Sequence, residues 1–171
     1  GESFVDAASK EGYFERNEAF SAGLWIYVKD STFGPIFSRS GGLFNGNRGY
    51  HCTLLEDERL EVSLAHVFPD NAIIVETKAA LPLKQWVHIA FSYNGSSKAS
   101  GLRVYIDGKP VETLVMADNL QQSMRRDGHQ GNWGGNRSVR IGHHFGKTLD
   151  KVKVDEFKLY ARELSSWEML S

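Results

Sequence analysis

Carboxylate side chains are the first residues to test for chemistry in this sequence. Retaining glycoside hydrolysis needs two carboxylates about 5–5.5 Å apart, and both must lie on one face of the fold. The densest run, Glu56-Asp57-Glu58, is consecutive and lies at a predicted turn, so its carboxylates diverge. Glu58 and Glu61 flank the start of the next predicted strand, where we expect them to be solvated. No nucleophile elbow or phosphate-binding loop is present either, and the sequence predicts a protein that is not an enzyme.

Histidine and cysteine side chains could instead bind a metal. His143 and His144 are adjacent, so they point to opposite faces of an extended strand, which is poor geometry for chelation. Three further histidines lie on three different predicted strands: His51, His66 and His88. A zinc site would need these strands to meet, which the sequence does not show. Cys52 is the only cysteine; this excludes an internal disulfide, and its phase in the strand predicts a buried core residue.

Asp155 is the carboxylate whose predicted position is most unusual. In a regular strand it shares a face with Phe157 and Leu159, so it should point into the core, where an unpaired charge is costly. Two interpretations remain open. In the first, the carboxylate accepts hydrogen bonds from backbone or tryptophan N–H groups; in the second, it is a ligand of a structural Ca²⁺ ion. Calcium takes about six to eight oxygen ligands, and one aspartate does not supply them.

Aromatic residues on the outward phase of the strands indicate a binding surface. Trp25 and Tyr27 alternate with core positions, and His88 and Tyr105 do so on later strands. Small residues are interleaved with them: Ser21, Gly23, Ser63, Ala65, Ala90 and Ser92. Small residues leave room for a groove in which aromatic rings could stack on sugar rings. Alternatively, a loop covers this surface.

A long loop supplies the remaining candidate. Residues 118–137 form a stretch of about twenty residues without a strand pattern, and loops of this length tend to be functional or disordered. A short helix is predicted at 118–125, with Asp118 as its N-cap. Trp133 lies among glycines and an asparagine, where its indole either tucks back or faces a ligand. Polar residues in loops and at strand ends complete the candidate binding site: Arg48, His66, Asn71 and His143.

Period-2 alternation predicts the elements that position these residues. The predicted strands are residues 4–5, 20–28, 35–38, 49–55, 59–66, 72–77, 86–93, 102–106, 111–115, 139–141 and 152–160. Such a series predicts an all-β fold, an antiparallel β-sandwich of two sheets. The end of the chain predicts a capped turn, with Ser165 as N-cap and Glu168 three residues later.

Length and charge limit the remaining function classes. A chain of 171 residues is consistent with one domain over residues 1–171. The formal net charge of -1 argues against a nucleic-acid partner. No run approaches the roughly 20 apolar residues of a membrane span. The chain begins at Gly1 without an initiator methionine, and we expect a domain excised from a larger protein.

Two motifs resemble a known family. Residues 86–108 resemble the W-x-H-x-A-x-x-Y-(D/N)-G and L-x-x-Y-x-D-G signature of laminin G-like, concanavalin A-like jelly rolls. Residues 154–165 resemble the closing I-D-E-x-x-x-Y-x-R-x-L-S motif of the same modules. Glucanases of this kind carry an E-x-D-x-E triplet on one strand, which is absent here. The resemblance therefore implies a jelly roll that binds rather than hydrolyses, and bound calcium is a feature of many similar modules.

A narrower resemblance concerns the parent protein. Arg48-Gly49-Tyr50, residues 64–72 and residues 96–101 are similar to jelly rolls embedded in large secreted bacterial proteins that also carry a cytochrome c-type haem domain. This implies a secreted, periplasmic or cell-surface location. The chain has no Cys-x-x-Cys-His motif and cannot itself attach haem covalently, so haem chemistry would belong to another part of the parent.

Two functions remain open from the sequence. The first is non-catalytic glycan binding through the groove and its loops. The second is an interaction or spacer module that docks against neighbouring domains of the same parent protein. The expected partners are accordingly a glycan or those domains, because a fold alone does not determine function.

Overall fold

A computed structural model of the chain describes residues 5–7, 12–42, 46–125, 138–144 and 146–170. Strands joined by turns make up most of these residues, as the alternation predicts. The strands are β1 (Val5–Ala7), β2 (Phe20–Val28), β3 (Gly34–Ser40), β4 (Gly49–Leu54), β5 (Leu60–Val67), β6 (Asn71–Thr77), β7 (Trp86–Tyr93), β8 (Leu102–Ile106), β9 (Lys109–Pro110), β10 (Thr113–Asp118), β11 (Val139–Ile141), β12 (His143–His144), β13 (Lys147–Thr148) and β14 (Val152–Tyr160). A 3₁₀ turn, Ala99–Gly101, precedes β8.

The strands form two large antiparallel sheets and one short ribbon. The seven-stranded sheet has the order β1-β11-β3-β4-β5-β6-β10, and the five-stranded sheet has the order β14-β2-β7-β8-β9. The ribbon consists of β12 and β13, in which His143 pairs with Thr148 and His144 with Lys147. The prediction of an all-β, two-sheet antiparallel sandwich is confirmed.

The core lies between the inner faces of the two large sheets. Phe37 of β3 stacks on Phe91 of β7 with ring centroids 6.0 Å apart, and Phe20 of β2 meets Phe91 edge-on at 5.5 Å. Most predicted core residues are buried: Phe20, Leu24, Ile26, Leu54, Val62, Leu64, Val87, Ile89, Phe91, Leu102, Val104 and Ile141. The other three pack against this core while remaining partly exposed: Ile106, Phe157 and Leu159. Cys52 is buried as predicted.

The prediction that Asp155 points into the core is wrong, and a β-bulge in β14 is the reason. Leu159 pairs with Ala22, an inward position, but Asp155 pairs with Trp25, an outward one. The register shifts between Asp155 and Lys158, and Glu156 there has a φ of 49°. The extra residue reverses the alternation, so the Asp155 side chain is exposed on the outer face. The interpretation of Asp155 as a calcium ligand rested on a buried carboxylate, and the structure removes that reason.

The segment that follows β10 also differs from its prediction. Residues 119–125 form an irregular loop instead of the predicted helix, and Asp118 ends β10. The amide oxygen of Asn71 accepts hydrogen bonds from the backbone N–H groups of Gln121 at 2.9 Å and Gln122 at 3.3 Å. This one side chain therefore satisfies two backbone donors of the loop. In the part of the chain that is described, no helix has the length and apolar character to cross a membrane.

The C-terminal segment covers part of the outer face of the five-stranded sheet. Ser165 and Glu168 make the predicted capping contacts, with Ser165 N to Glu168 Oε2 at 3.0 Å, but residues 166–170 form turns rather than a helix. Leu164 and Met169 pack on Ala90 and Tyr105. On that face, the small residues of β2 and β7 make room for the chain itself.

Candidate functional site

The small residues singled out in the sequence belong to two different surfaces. Gly23 pairs with Ala90 on the outer face of the five-stranded sheet, next to the part that the C-terminal segment covers. Ser63 and Ala65 lie on β5 of the seven-stranded sheet, and Ser63 pairs with His51. The prediction of one groove lined by all of these small residues is therefore wrong, because the residues lie on opposite sides of the sandwich.

A cleft lies over the outer face of the seven-stranded sheet. It has a volume of about 990 Å³, at the upper end of the range for small-ligand pockets. Residues 31–35, from the connection after β2 and the start of β3, form one wall with residues 146–148, 150 and 151, which belong to the β12–β13 ribbon and its continuation. His51 and Thr53 of β4 and Glu61 of β5 line the cleft from the sheet, and Asn47 and Phe68 line it from the adjoining loops.

Hydrogen bonds join the two parts of this wall. Thr32, which is buried, donates from Oγ1 to Oδ1 of Asp150 at 2.8 Å. The backbone N–H of Lys29 donates to the carbonyl oxygen of Lys151 at 2.9 Å. These contacts connect segments about 120 residues apart in sequence, so the wall forms only once the whole sandwich has assembled.

His51 and Glu61 form a polar pair at the base of the cleft. His51 Nε2 lies 3.1 Å from Glu61 Oε1, a diagonal contact between neighbouring strands. The His51 ring lies 5.5 Å from the Phe68 ring and 6.0 Å from the His144 ring, between centroids. Its Nδ1 is buried and has no hydrogen-bond partner within the described residues. The base of the cleft therefore holds one buried ring nitrogen that lacks a partner among the described residues.

His144 attaches the ribbon to the sheet. Its Nε2 lies 2.8 Å from Ser40 Oγ and 3.3 Å from the carbonyl oxygen of Gly41. Burial, reinforced by the nearby His51 ring, lowers the pKa of His144 to about 4. The ring is therefore neutral near pH 7, and its Nε2–H donates to the Gly41 carbonyl. His143, next to it, does not line the cleft, in agreement with the prediction that the two side chains point to opposite faces.

Aromatic and charged side chains complete the lining. Phe33 is 57% exposed, which is unusual for a phenylalanine, and it stands in the wall beside Thr32. The acidic residues are Glu56, Glu61 and Asp150, and the basic ones are Lys147 and Lys151. An exposed ring among hydroxyl, amide and charged groups is suited to a ligand with one apolar face and many hydrogen-bonding groups.

Two glutamates come side by side on this sheet, which the search for a triplet on one strand could not find. Glu61 of β5 pairs with Glu76 of β6. Each has another partner, however: Glu61 is bonded to His51, and Glu76 forms an ion pair with Arg59 at 2.8 Å. Glu76 also lies outside the cleft lining. Each carboxylate is therefore held by a partner of its own, Glu61 by His51 and Glu76 by Arg59.

The predicted binding residues lie near the cleft without lining it. Arg48 and His66 bond to each other, with Arg48 Nε 3.0 Å from the His66 carbonyl and Nη2 3.1 Å from its Nε2. His66 Nδ1 also lies 2.7 Å from the carbonyl oxygen of Ser123. Both residues, like Asn71, therefore hold loops in place, while Asn47 and Phe68 close by line the cleft. Trp133 lies outside the described residues.

The sequence analysis weighed two of the lining histidines as metal ligands but placed none of the following lining residues in the binding site: Thr32, Phe33, His51, His144 and Asp150. Phe33 had a signal that could have been used, because it is an aromatic residue between Ser31-Thr32 and Gly34-Pro35, in a turn-like stretch. The same reasoning had selected Trp133. The ribbon residues gave no signal, since their place depends on long-range contacts. Across the described ranges, no group of three or more histidine, cysteine, aspartate or glutamate side chains could hold a metal.

Comparison with known proteins agrees with this architecture. The sequence model of one protein family, the concanavalin A-like lectin/glucanases superfamily, matches residues 1–169. The chain belongs to this superfamily. This confirms the laminin G-like, concanavalin A-like resemblance, which rested on short motifs alone. A search of the curated proteins finds no match.

Several solved structures share the superfamily fold. The binding domain of Paraclostridial Mosquitocidal Protein 1 has a TM-score of 0.66 and 16% identity, covering 98% of this chain and 39% of that chain. A protein from Bacteroides ovatus, named as a candidate carbohydrate binding protein, has a TM-score of 0.64 and 14% identity, covering 97% and 43%. The binding domain of botulinum neurotoxin DC, solved with rat synaptotagmin II, has a TM-score of 0.61 and 15% identity, covering 97% and 38%.

These likenesses establish the fold. The chain spans less than half the length of each of these three proteins. Their names describe binding domains or a binding protein, for a carbohydrate in one case and with a protein partner in another.

Proposed function

We propose that the chain is a non-catalytic glycan-binding module of a larger secreted protein. The observation that carries the proposal is the cleft on the seven-stranded sheet, where the exposed ring of Phe33 stands among hydroxyl, amide and charged groups. A sugar offers an apolar face of C–H groups for stacking and a rim of hydroxyls for hydrogen bonds, and both requirements are met here. The carbohydrate-binding name of the Bacteroides ovatus protein supports the same class of ligand.

The absence of catalysis is part of this proposal. The support for it is local: Glu61 is bonded to His51, and Glu76 to Arg59. A retaining pair needs one carboxyl group free to attack and another that holds a proton. Carboxylates held by cationic or imidazole partners are poorly suited to either role.

The parent context is proposed from the resemblance of residues 48–50, 64–72 and 96–101. The parent is a secreted, periplasmic or cell-surface bacterial protein that carries a cytochrome c-type haem domain elsewhere. The module would then hold that protein on a polysaccharide surface. Calcium enters this proposal only as a condition to vary in the binding assay.

The experiment is a glycan array on the isolated domain, with calcium and with chelator, followed by calorimetric titration of the best ligand. We expect weak binding, because the cleft is open and wet. The Phe33→Ala variant should lose binding while keeping its melting temperature. The matched control is Trp167→Ala, which removes an 80% exposed aromatic residue from the C-terminal segment on the opposite side of the sandwich.

Two results would overturn the proposal. One is an array without any ligand under either condition. The other is a ligand whose affinity is unchanged in Phe33→Ala but reduced in Trp167→Ala, since the binding surface would then lie on the five-stranded sheet.

A second candidate function, docking to neighbouring domains of the parent, is favoured by one feature. β10 is an edge strand of the seven-stranded sheet, and three consecutive apolar residues on it are exposed: Leu114, Val115 and Met116. Exposed apolar edges are sites for pairing with another strand. Replacing Val115 with lysine should abolish co-purification with the adjacent domains if docking is the function, and should leave glycan binding unchanged.

A further inference from the structure

The charges around the cleft are nearly balanced. Glu56, Glu61 and Asp150 contribute three carboxylates, and Lys147 and Lys151 contribute two ammonium groups. His144 adds no charge near pH 7, because burial holds its pKa at about 4. An anionic ligand would meet more carboxylate than ammonium, and a cationic ligand would meet both lysines on the ribbon side.

Whether the basic side chains of the cleft are arginine or lysine also matters for binding an acidic sugar. Acidic sugars present carboxylate or sulfate groups, which proteins recognise most strongly with the planar fork of arginine. Among the described residues that line the cleft, none is an arginine. Lys147 and Lys151 are exposed, so water and salt screen their attraction for an anion.

Uncharged groups fill much of the remaining lining. Thr32, Thr53 and Thr148 bring hydroxyls, and Asn47 brings an amide. Each of these groups can both donate and accept, which matches the hydroxyl of a neutral sugar. Asp150 adds a charged group that only accepts, and Thr32 donates to its Oδ1. The buried threonine holds the carboxylate in place and leaves Oδ2 to accept from a ligand hydroxyl.

We infer that the cleft takes an uncharged glycan, and that Asp150, held by Thr32, orients this glycan by accepting from a sugar hydroxyl. The inference rests on the proposed function and goes beyond it in naming the ligand class and the orienting residue. Stacking on Phe33 binds any sugar with a suitable apolar face, whereas the excess of carboxylates and the lack of a lining arginine select against acidic sugars.

The first test uses polymers that differ only in charge. The domain is run by affinity electrophoresis through gels that contain dextran or dextran sulfate, hydroxyethyl cellulose or carboxymethyl cellulose, and methyl-esterified or free polygalacturonate. At least one neutral polymer should retard the domain, and its charged counterpart should not. Retardation by charged polymers alone, lost in a Lys147→Gln, Lys151→Gln double variant, would overturn the inference and leave glycan binding standing. No retardation in any gel would overturn both.

The second test asks whether Asp150 orients the ligand. With the retained neutral polymer, Asp150→Asn should weaken binding about tenfold or more, the size expected for a hydrogen bond to a charged group. Thr32→Val keeps the shape but removes the bond to Asp150, and it should weaken binding by a smaller factor. The matched control is Asp155→Asn, which changes an exposed aspartate on the other sheet and should bind like the unsubstituted domain.

The readout separates orientation from folding. All three variants should keep the melting temperature within a few degrees, as expected for changes outside the core. If Asp150→Asn binds as tightly as Asp155→Asn, the orienting role is wrong. If Thr32→Val weakens binding and also lowers the melting temperature by more than a few degrees, Thr32 supports the fold and does not position Asp150 for the ligand.

Discussion

Replacing Phe91 with alanine tests how the two sheets are held together. Phe91 is 1% exposed. Its ring contacts Phe20 of its own sheet and Phe37 of the facing sheet. The substitution removes an entire ring from the interface and leaves a cavity that its aromatic neighbours cannot fill by small rotations. Large-to-small changes of this kind cost about 3–5 kcal/mol of unfolding free energy.

This loss of unfolding free energy corresponds to a shift in melting temperature. For chains of about 150–250 residues, 1 kcal/mol corresponds to roughly 2–4 °C. Phe91→Ala should therefore lower the melting temperature by about 6–20 °C. Urea denaturation followed by tryptophan fluorescence gives the free energy directly, and the midpoint should fall while the slope stays constant.

The matched control is Phe33→Ala, which removes the same ring from an exposed position in the cleft wall. It should change the unfolding free energy by no more than about 0.5 kcal/mol. The reasoning is refuted if Phe91→Ala costs less than about 1 kcal/mol, or if the two variants are destabilised equally.

Three further predictions concern single side chains. Burial lowers the pKa of His144 from its ordinary 6.5 to about 4. The unfolded chain therefore binds more protons between these values, and stability falls as the pH drops from 6.5 to 4; His144→Gln should show a smaller loss across that window in pH-dependent melting curves. Asp155→Ala should change the unfolding free energy by less than about 0.5 kcal/mol in urea titrations, because its side chain is exposed; a loss of 1 kcal/mol or more would mean that the carboxylate is a structural acceptor after all. Trp133→Ala should weaken glycan binding without lowering the melting temperature, and unfolding of that variant would instead make Trp133 a structural residue.

The fold could be predicted because alternation is a local property. Strands such as 86–93 and 102–106 have one buried and one outward face, and their ends in the structure match the pattern residue for residue. The core followed from the same rule, including Phe20, Phe91 and Val104. Where one residue breaks the period, as Glu156 does in β14, an inference carried across the break reverses. Asp155 was misplaced for this reason, because its face was inferred from Phe157 and Leu159 on the other side of Glu156.

The candidate site could be predicted only in part, because a site depends on which surfaces meet. Ser63 and Ala90 look equivalent in sequence, yet they lie on opposite sheets. The bond from Thr32 to Asp150 joins positions that no local pattern connects. Likewise, nothing in the last residues indicates that Leu164 and Met169 cover Ala90 and Tyr105.

The central claim is that the cleft on the seven-stranded sheet binds a glycan, and mapping a bound ligand by NMR tests it most directly. The domain, labelled with ¹⁵N, is titrated with the best neutral oligosaccharide from the array while backbone amide shifts are recorded. The account predicts that the largest shifts fall on residues 31–34 and 146–151 and on His51, with residues 164–170 unchanged. Shifts confined to residues 164–170 and the outer face of the five-stranded sheet would contradict it.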